Sequence, residues 1–196
     1  LSRNPATQTA LRAELSQFQH VDPTYEQLST LPYLNAVILE ALRLHPPLPV
    51  LFRVVSEDTV LPLTNPVKAA NGQLVSEIVL AKGTSVNIPI AYFNRAKDIW
   101  GDDAKLFKPE RWLKGEEGLP EKVKQMKGYH HIFTFGEGPR LCVGRNFALA
   151  NIKVGCAISK VLLCDGHLTE HPRRLLSRCS SATSPSSSQE EWRLSW

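Results

Sequence analysis

Cysteine, methionine and excess charge are all scarce in this 196-residue sequence. Its four cysteines form no C-x-x-C pair and are irregularly spaced, so we expect no disulfide framework and infer a reducing compartment. The formal charge is only +4, without a Lys/Arg-rich run, which gives nucleic-acid binding little support. No stretch approaches the ~20 apolar residues of a membrane span, and no signal peptide is recognisable.

The composition predicts one globular domain followed by an atypical tail. Hydrophobic residues make up 42% of the chain and charged residues 21%, which is ordinary for a globular protein. Because the chain starts at Leu1 and its only methionine is Met126, we expect it to be a piece of something longer. We predict a domain over residues 1–164. The Ser-rich residues 165–196 bury too little apolar surface to repay the entropy of ordering, and we predict that they are disordered.

Periodicity and turn signals predict a mainly α fold with a small β region. The third helix is the clearest: an apolar stripe begins at Leu34, and Pro46-Pro47 ends it, with Glu40 and Arg43 off the centre of the stripe. A hairpin is predicted at Asn71-Gly72. The predicted helices cover residues 5–19, 23–29, 32–45, 91–97 and 143–163, the strands cover residues 48–55 and 85–90, and residues 101–140 form a long irregular segment.

One cysteine stands in a setting that favours chemistry. Within FTFGEGPRLCVG, residues 133–144, Cys142 is surrounded by glycines, follows Arg140 by two residues and precedes a predicted helix. The unpaired N–H groups of a helix N-terminus and a nearby arginine both favour thiolate over thiol. Glycines let a flat ligand approach the backbone closely. A buried structural cysteine is the alternative, but it leaves the coincidence of these features unexplained.

The same segment resembles the cytochrome P450 family. Phe135, Gly138, Arg140, Cys142 and Gly144 match the family pattern F-x-x-G-x-R-x-C-x-G at every fixed position. The resemblance implies that the Cys142 sulfur binds haem iron, that Arg140 pairs with a haem propionate and that Phe135 packs near the sulfur. Thiolate ligation favours cleavage of the O–O bond.

Two further segments resemble family motifs. Glu40-Ala41-Leu42-Arg43 alone is only an i,i+3 ion pair on a helix, worth ~0.2–0.5 kcal/mol if exposed. Within YLNAVILEALRLHPP, however, it resembles the family's E-x-x-R helix. Phe107 to Trp112, FKPERW, resembles the family's F-x-P-E-R-F segment with Trp112 in place of phenylalanine. The resemblance implies a buried triad of Glu40, Arg43 and Arg111. A solvated loop arginine is the alternative for Arg111.

Three weaker assignments remain open. By analogy with the family, Arg53 is a second propionate ligand, and residues 49–52 line the substrate pocket. For Arg53, an arginine on an exposed strand face is a comparable explanation. For residues 49–52, ordinary core packing is the comparable explanation. His130-His131 invites a zinc or a cysteine-protease interpretation with Cys142. The zinc site lacks a fourth ligand and the protease leaves the glycines unexplained, so we expect loop histidines.

The resemblance implies the C-terminal part of a haem-thiolate monooxygenase with an incomplete fold, and the segments FRVVSEDTVLPL and GDDAKLFKPERWL resemble fungal members. It implies oxygen insertion into a small organic substrate, electrons from an NADPH-dependent reductase, and an anchor in the endoplasmic reticulum membrane, facing the cytoplasm, through a missing N-terminus. The family's O2-activating helix, with its acid-Thr pair, is absent from this sequence. The alternative is therefore a non-catalytic fragment with little or no haem. Family likeness fades after Val154, for which an intron read through or a shifted frame is our hypothesis.

Overall fold

The computed structural model describes residues 4–18 and 23–164, with side chains as far as residue 158. The chain divides into two compact units, residues 1–157 and 158–196. Of the second unit only the end of the last helix is described. The predicted disordered tail and Cys179 therefore lie outside the described residues. The account below concerns the first unit, with the bounds of its last helix given in full.

Helices dominate the described residues, and the mainly α prediction is confirmed. Those that precede the strands are α1 (Pro5–Leu15), α2 (Tyr25–Ser29) and α3 (Pro32–Leu44). After the strands come α4 (Ile90–Phe93), α5 (Lys97–Trp100), α6 (Glu121–Lys124) and α7 (Arg145–Cys164). The chain after α1 tightens into a 3-10 turn at Ser16–Phe18, so the first predicted helix ends close to where it was expected. The helix predicted over residues 91–97 is instead two short helices, α4 and α5.

Helix α3 lies in the core of the first unit. It starts at Pro32, whose missing N–H is no loss in a first turn, and ends before Pro46. The Glu14 carboxylate of α1 accepts hydrogen bonds from the N–H groups of Tyr33 and Leu34, at 2.8 and 2.7 Å. Those N–H groups have no partner inside the helix, so α1 caps α3. The apolar residues packed around α3 include Leu11, Leu15, Leu28, Trp100, Val123, Ile132, Phe135 and Leu149.

The β region consists of two separate antiparallel pairs. Strands β1 (Leu51–Val54) and β4 (Ser85–Ile88) pair with each other, as do β2 (Thr59–Lys68) and β3 (Leu74–Leu80). The second pair is irregular between Pro62 and Val67, because proline lacks the N–H that a ladder needs. The predicted two-residue hairpin is wrong in length. The connection runs over residues 69–73, and the Ala69 N–H donates to the Gln73 carbonyl at 2.8 Å.

The long segment between α5 and α7 is irregular, as predicted, but it is not structureless. Besides α6 it contains short 3-10 turns. These turns, three of which carry the motif residues described below, are Pro109–Trp112, Gly115–Gly118, Tyr129–His131, Phe133–Phe135 and Gly138–Arg140. The segment wraps α3 and leads directly into α7.

Candidate functional site

The loop that carries Cys142 is built on two glycines in the left-handed region. Gly136 has φ +70° and Gly138 has φ +73°, values that cost other residues steric strain. These turns fold the chain back so that the Cys142 N–H donates to the Phe135 carbonyl at 2.8 Å. The Phe135 side chain is buried and meets the Tyr129 ring edge-on, with centroids 5.8 Å apart. The cysteine is therefore held on a defined turn.

The surface beside Cys142 is apolar and open. Cys142 itself is exposed and lies three residues before α7 begins. Its neighbours Val143 and Phe147 have relative exposures of 102% and 75%. A Cβ built on Gly138 or Gly144 would meet nothing within 4 Å. A free thiol on an open apolar surface fits a flat hydrophobic group that carries a metal, so the residues present are compatible with haem.

The two arginines predicted to hold propionates are both exposed. Arg140 ends the turn Gly138–Arg140, two residues before the thiol. Arg53 lies on β1, where its Nη1 donates to the Phe52 carbonyl at 3.0 Å. No hydrogen bond among the described residues joins Arg53 to the Cys142 loop. The role of either arginine toward a carboxylate stays a prediction.

A buried cluster of charges joins the two other motifs. Glu40 and Arg43 are both fully buried. Arg43 donates hydrogen bonds from Nε and Nη2 to the two oxygens of the Glu40 carboxylate, each at 2.9 Å. Arg111, from the turn Pro109–Trp112, places its Nε 3.1 Å from the same carboxylate. The structure thus brings together the three residues of the predicted triad. The sequence placed Glu40 and Arg43 off the apolar stripe, yet the irregular segment encloses that side of α3 as well.

Two more donors and one more acid complete this cluster. The Lys108 N–H and the Trp112 indole Nε1 donate to the Glu40 carboxylate at 2.9 and 3.0 Å. Asp103 lies 3.3 Å from Nη1 of Arg111. Burial alone would raise the pKa of Glu40, but the hydrogen bonds and charge of Arg43, with the Lys108 N–H and the charge of Arg111, lower it below its ordinary value. Glu40 is therefore ionised at neutral pH.

Sequence reasoning missed Asn94, which connects the cluster to the cysteine loop. Arg43 Nη1 donates to the Asn94 carbonyl at 2.8 Å. The buried Asn94 amide accepts from the Phe133 N–H and donates to the Thr134 hydroxyl, both at 3.0 Å. Thr134 in turn donates to the Leu42 carbonyl of α3 at 2.8 Å. Phe133 and Thr134 belong to the turn that presents Phe135, so the cluster anchors the loop. An isolated buried asparagine carries no recognisable sequence signal.

The remaining cysteine with a described side chain has a different environment. Cys156 lies on α7 and is partly buried against the core. Burial raises the pKa of its thiol, which disfavours the thiolate that a metal requires. The side chain of Cys164 and the whole of Cys179 lie outside the described residues. Of the two described thiols, only Cys142 is open to a ligand.

The paired histidines form an unusual turn. His130 and His131 both have positive φ, +49° and +61°. Nδ1 of His131 lies 2.9 Å from the Met126 carbonyl, and its Nε2 lies 3.5 Å from the Glu116 carboxylate. Both ring nitrogens of His131 are thus occupied within the irregular segment.

The described residues thus combine a mainly helical fold, an open thiol on a glycine turn and a buried cluster of charges. The family model "Cytochrome P450" matches residues 1–159. The chain belongs to the cytochrome P450 family. The match stops short of the residues 165–196 that we set apart as atypical.

Similar proteins from fungi support the family and agree with the fungal resemblance. Cytochrome P450 monooxygenase claO of Ampulloclitocybe clavipes is 50% identical over 165 residues, 83% of this chain and 30% of its own length. Cytochrome P450 monooxygenase 128 of Postia placenta is 40% identical over 154 residues, 78% of this chain and 27% of its own length. Ganoderic acid synthetase CYP5150L8 of Ganoderma lucidum is 39% identical over 159 residues, which is 79% of this chain and 29% of its own length. The chain therefore spans about 30% of the length of the relatives that it matches. In the part of the chain that the structure describes, no helix is long and apolar enough to cross a bilayer.

Proposed function

We propose that the complete protein containing these residues is a haem-thiolate monooxygenase, in which the Cys142 thiolate would hold the haem iron. The observation that carries the proposal is the open thiol of Cys142, held on a rigid glycine turn beside exposed Val143 and Phe147. When bound, haem supplies the redox chemistry that activates O2, and its reactivity is tuned by the thiolate. The names of the fungal relatives support the same reaction class.

The residues of this chain then have distinct tasks. Cys142 supplies the sulfur, and its N–H bond to the Phe135 carbonyl fixes the direction of the loop. The exposed Val143 and Phe147 would supply apolar surface for the haem. Arg140 and Arg53 carry positive charge for the propionates, since arginine forms strong charge-assisted hydrogen bonds with carboxylates. The buried cluster around Glu40 keeps the loop in position through Asn94.

Reaction partners follow from the proposed class. One oxygen atom of O2 enters a small organic substrate, and the electrons come from NADPH through a reductase. We place the complete protein at the endoplasmic reticulum membrane, facing the cytoplasm, through an anchor outside these residues. The insertion of oxygen needs the family's acid-Thr pair, which this sequence lacks. It therefore requires the part of the domain that lies outside these residues.

The second candidate is a non-catalytic fragment, with little or no haem bound. Its support is the 30% coverage of the relatives, which leaves most of a P450 domain outside this chain. The two candidates differ in one measurable property, the binding of haem by these residues when the rest of the domain is absent.

A carbon-monoxide difference spectrum of the reduced protein tests the assignment of Cys142. In the complete protein, Cys142→Ser is expected to abolish the thiolate Soret band, because a hydroxyl does not replace the thiolate as a ligand. The matched control is Cys156→Ser, which removes a partly buried thiol and is expected to leave the band unchanged. A normal thiolate band in the Cys142→Ser protein contradicts the proposal.

A further inference from the structure

A cavity of about 230 Å³ lies between α2, α3, α7 and the turn Tyr129–His131. None of its lining residues belongs to the haem site or to the charge cluster. It is smaller than the ~300–1,000 Å³ pockets that hold drug-sized ligands, which suits a small ion or group. Its lining consists of Ser29, Asn35, Ile38, Leu39, Tyr129, His130, Leu149 and Lys153.

Lys153 brings a buried positive charge to this cavity. The residue is only 8% exposed. Its Nζ donates to the Ser29 hydroxyl at 3.1 Å and lies 5.3 Å from the centroid of the Tyr25 ring. Both partners are neutral, and no carboxylate among the described residues lies within ion-pair distance of Lys153. A buried charge without a counter-charge is costly, so an anion in the cavity would offset that cost.

A second cation, Arg145, packs against the ring of Tyr129, which lines the cavity. The guanidinium carbon of Arg145 lies 4.8 Å from the centroid of the Tyr129 ring. Its Nε is buried and makes no hydrogen bond. Partial loss of hydration, together with the charges of His131 and Arg145, lowers the pKa of His130. The lowered pKa favours neutral His130, so the positive charge beside the cavity is that of Lys153 and Arg145, and it favours an anionic occupant.

The polar end of the cavity offers hydrogen-bond donors beside the Lys153 ammonium. The Lys153 ammonium carries three N–H donors, of which one is used on Ser29. The Ser29 hydroxyl accepts that bond and keeps its own proton to donate. Asn35 turns its Nδ2 toward the Ser29 carbonyl, 2.8 Å away, which fixes the polar end of the cavity. Donors that converge beside a buried ammonium match the several acceptor oxygens of an oxyanion.

We propose that this cavity binds a small oxyanion of the phosphate type, with Lys153 as its principal ligand and Ser29 as a second donor. The anion occupies the cavity as a free ion or as the headgroup of a phosphate-bearing lipid, since both present the same oxygens. Binding there bridges α2, α3 and α7, so it stabilises the packing of these helices.

Calorimetric titration of the complete, haem-loaded protein with inorganic phosphate tests the site. Ionic strength is held constant with chloride, so that general screening does not change. We expect saturable binding at one site, weakened about tenfold or more by Lys153→Met, because a charge-assisted hydrogen bond is lost. Ser29→Ala keeps the charge and is expected to weaken binding by a smaller factor. The matched control is Lys105→Met, which removes an exposed lysine and should leave the affinity unchanged.

Vesicles distinguish the two sources of the anion. Phosphatidylcholine vesicles with and without phosphatidic acid are compared for wild type and Lys153→Met. Binding that needs both phosphatidic acid and Lys153, without binding of free phosphate, assigns the site to a lipid headgroup. Absence of saturable binding in both arms overturns the proposal, and so does equal affinity of wild type and Lys153→Met. If Lys153→Met does not fold, unchanged affinity in Ser29→Ala overturns it.

Discussion

At the scale of single residues, the Glu40 carboxylate accepts five hydrogen bonds. One oxygen accepts from Arg43, Arg111 and the Lys108 N–H, and the other accepts from Arg43 and Trp112. A carboxylate offers about four lone-pair sites, so Glu40 has no capacity left for water. The tryptophan that replaces the family's phenylalanine adds a donor that phenylalanine cannot supply. Replacement of Glu40 leaves two buried arginines without their counter-charge, and replacement of Arg43 or Arg111 leaves the buried Glu40 charge partly uncompensated.

Arg111→Ala should destabilise the complete protein by about 3–5 kcal/mol, because it leaves part of the buried Glu40 charge uncompensated. That loss is a large share of the ~5–15 kcal/mol that holds a domain folded. We expect poor folding or loss of haem, measured by thermal unfolding and haem content.

The control for Arg111 is Arg95→Ala, which removes an exposed arginine on the surface. Its only described side-chain bond runs to the Ala91 carbonyl, so its melting temperature should stay close to that of wild type. Native haem content and an unchanged melting temperature in Arg111→Ala would show that Arg111 contributes as little as a surface residue.

At the scale of elements, helix α3 was predictable and its surroundings were not. The stripe from Leu34 and the stop at Pro46 set its bounds, which the structure confirms. The burial of its residues Glu40 and Arg43 depends on segments some 60 to 70 residues further along, such as the turn Pro109–Trp112. Only the resemblance to a family suggested that contact, because irregular turns have no periodicity from which their position could be deduced.

The cysteine loop was predictable for a different reason. Glycine at 136 and 138 is a local signal, since each sits where φ is positive. The anchoring of the loop through Asn94 and Thr134 was not predictable. Those hydrogen bonds connect residues some 40 to 90 positions apart and need only ordinary polar side chains.

Two glycine substitutions should have opposite effects at the level of the elements. Gly138→Ala forces a left-handed conformation on alanine, which costs about 1–2 kcal/mol and loosens the turn before Cys142. We expect a lower melting temperature and faster haem loss.

Gly155→Ala is the control for the loop glycine. Gly155 lies inside α7, where a Cβ would meet nothing within 4 Å, and alanine there should stabilise the protein by about 0.5–1 kcal/mol. Both effects are measured by chemical unfolding monitored through haem absorbance. Equal stabilities of the Gly138→Ala and wild-type proteins would show that the loop tolerates either conformation.

At the scale of the whole molecule, the described surface exposes more large apolar side chains than a finished domain should. Phe52, Val54, Leu74 and Val79 on the strands have relative exposures between 68% and 74%. Neither strand pair has a third strand or a covering helix among the described residues, and isolated two-strand pairs are marginally stable in water. Exposed patches of this kind favour association and aggregation.

These 196 residues expressed alone are therefore expected to be insoluble or molten. A molten state binds the dye ANS strongly, keeps its far-UV circular dichroism and loses the near-UV signal. The comparison is the complete protein, which should show a near-UV signal and a cooperative transition. A soluble, cooperative, haem-loaded preparation of this chain alone would contradict both this expectation and the non-catalytic alternative.

The way Arg43 makes its bonds has a consequence for how this segment can change during evolution. Beyond Glu40, its guanidinium hydrogen-bonds only to main-chain carbonyls, those of Asn94, Ala104 and Leu106. A carbonyl is the same in every amino acid, so these hydrogen bonds place no demand on side-chain type. At position 106, where the side chain is exposed, substitutions can therefore accumulate without loss of the contact, whereas the buried Ala104 leaves no room for a larger side chain. An insertion or deletion between positions 94 and 106 would move the carbonyls themselves, so we expect family members to keep the length of this stretch.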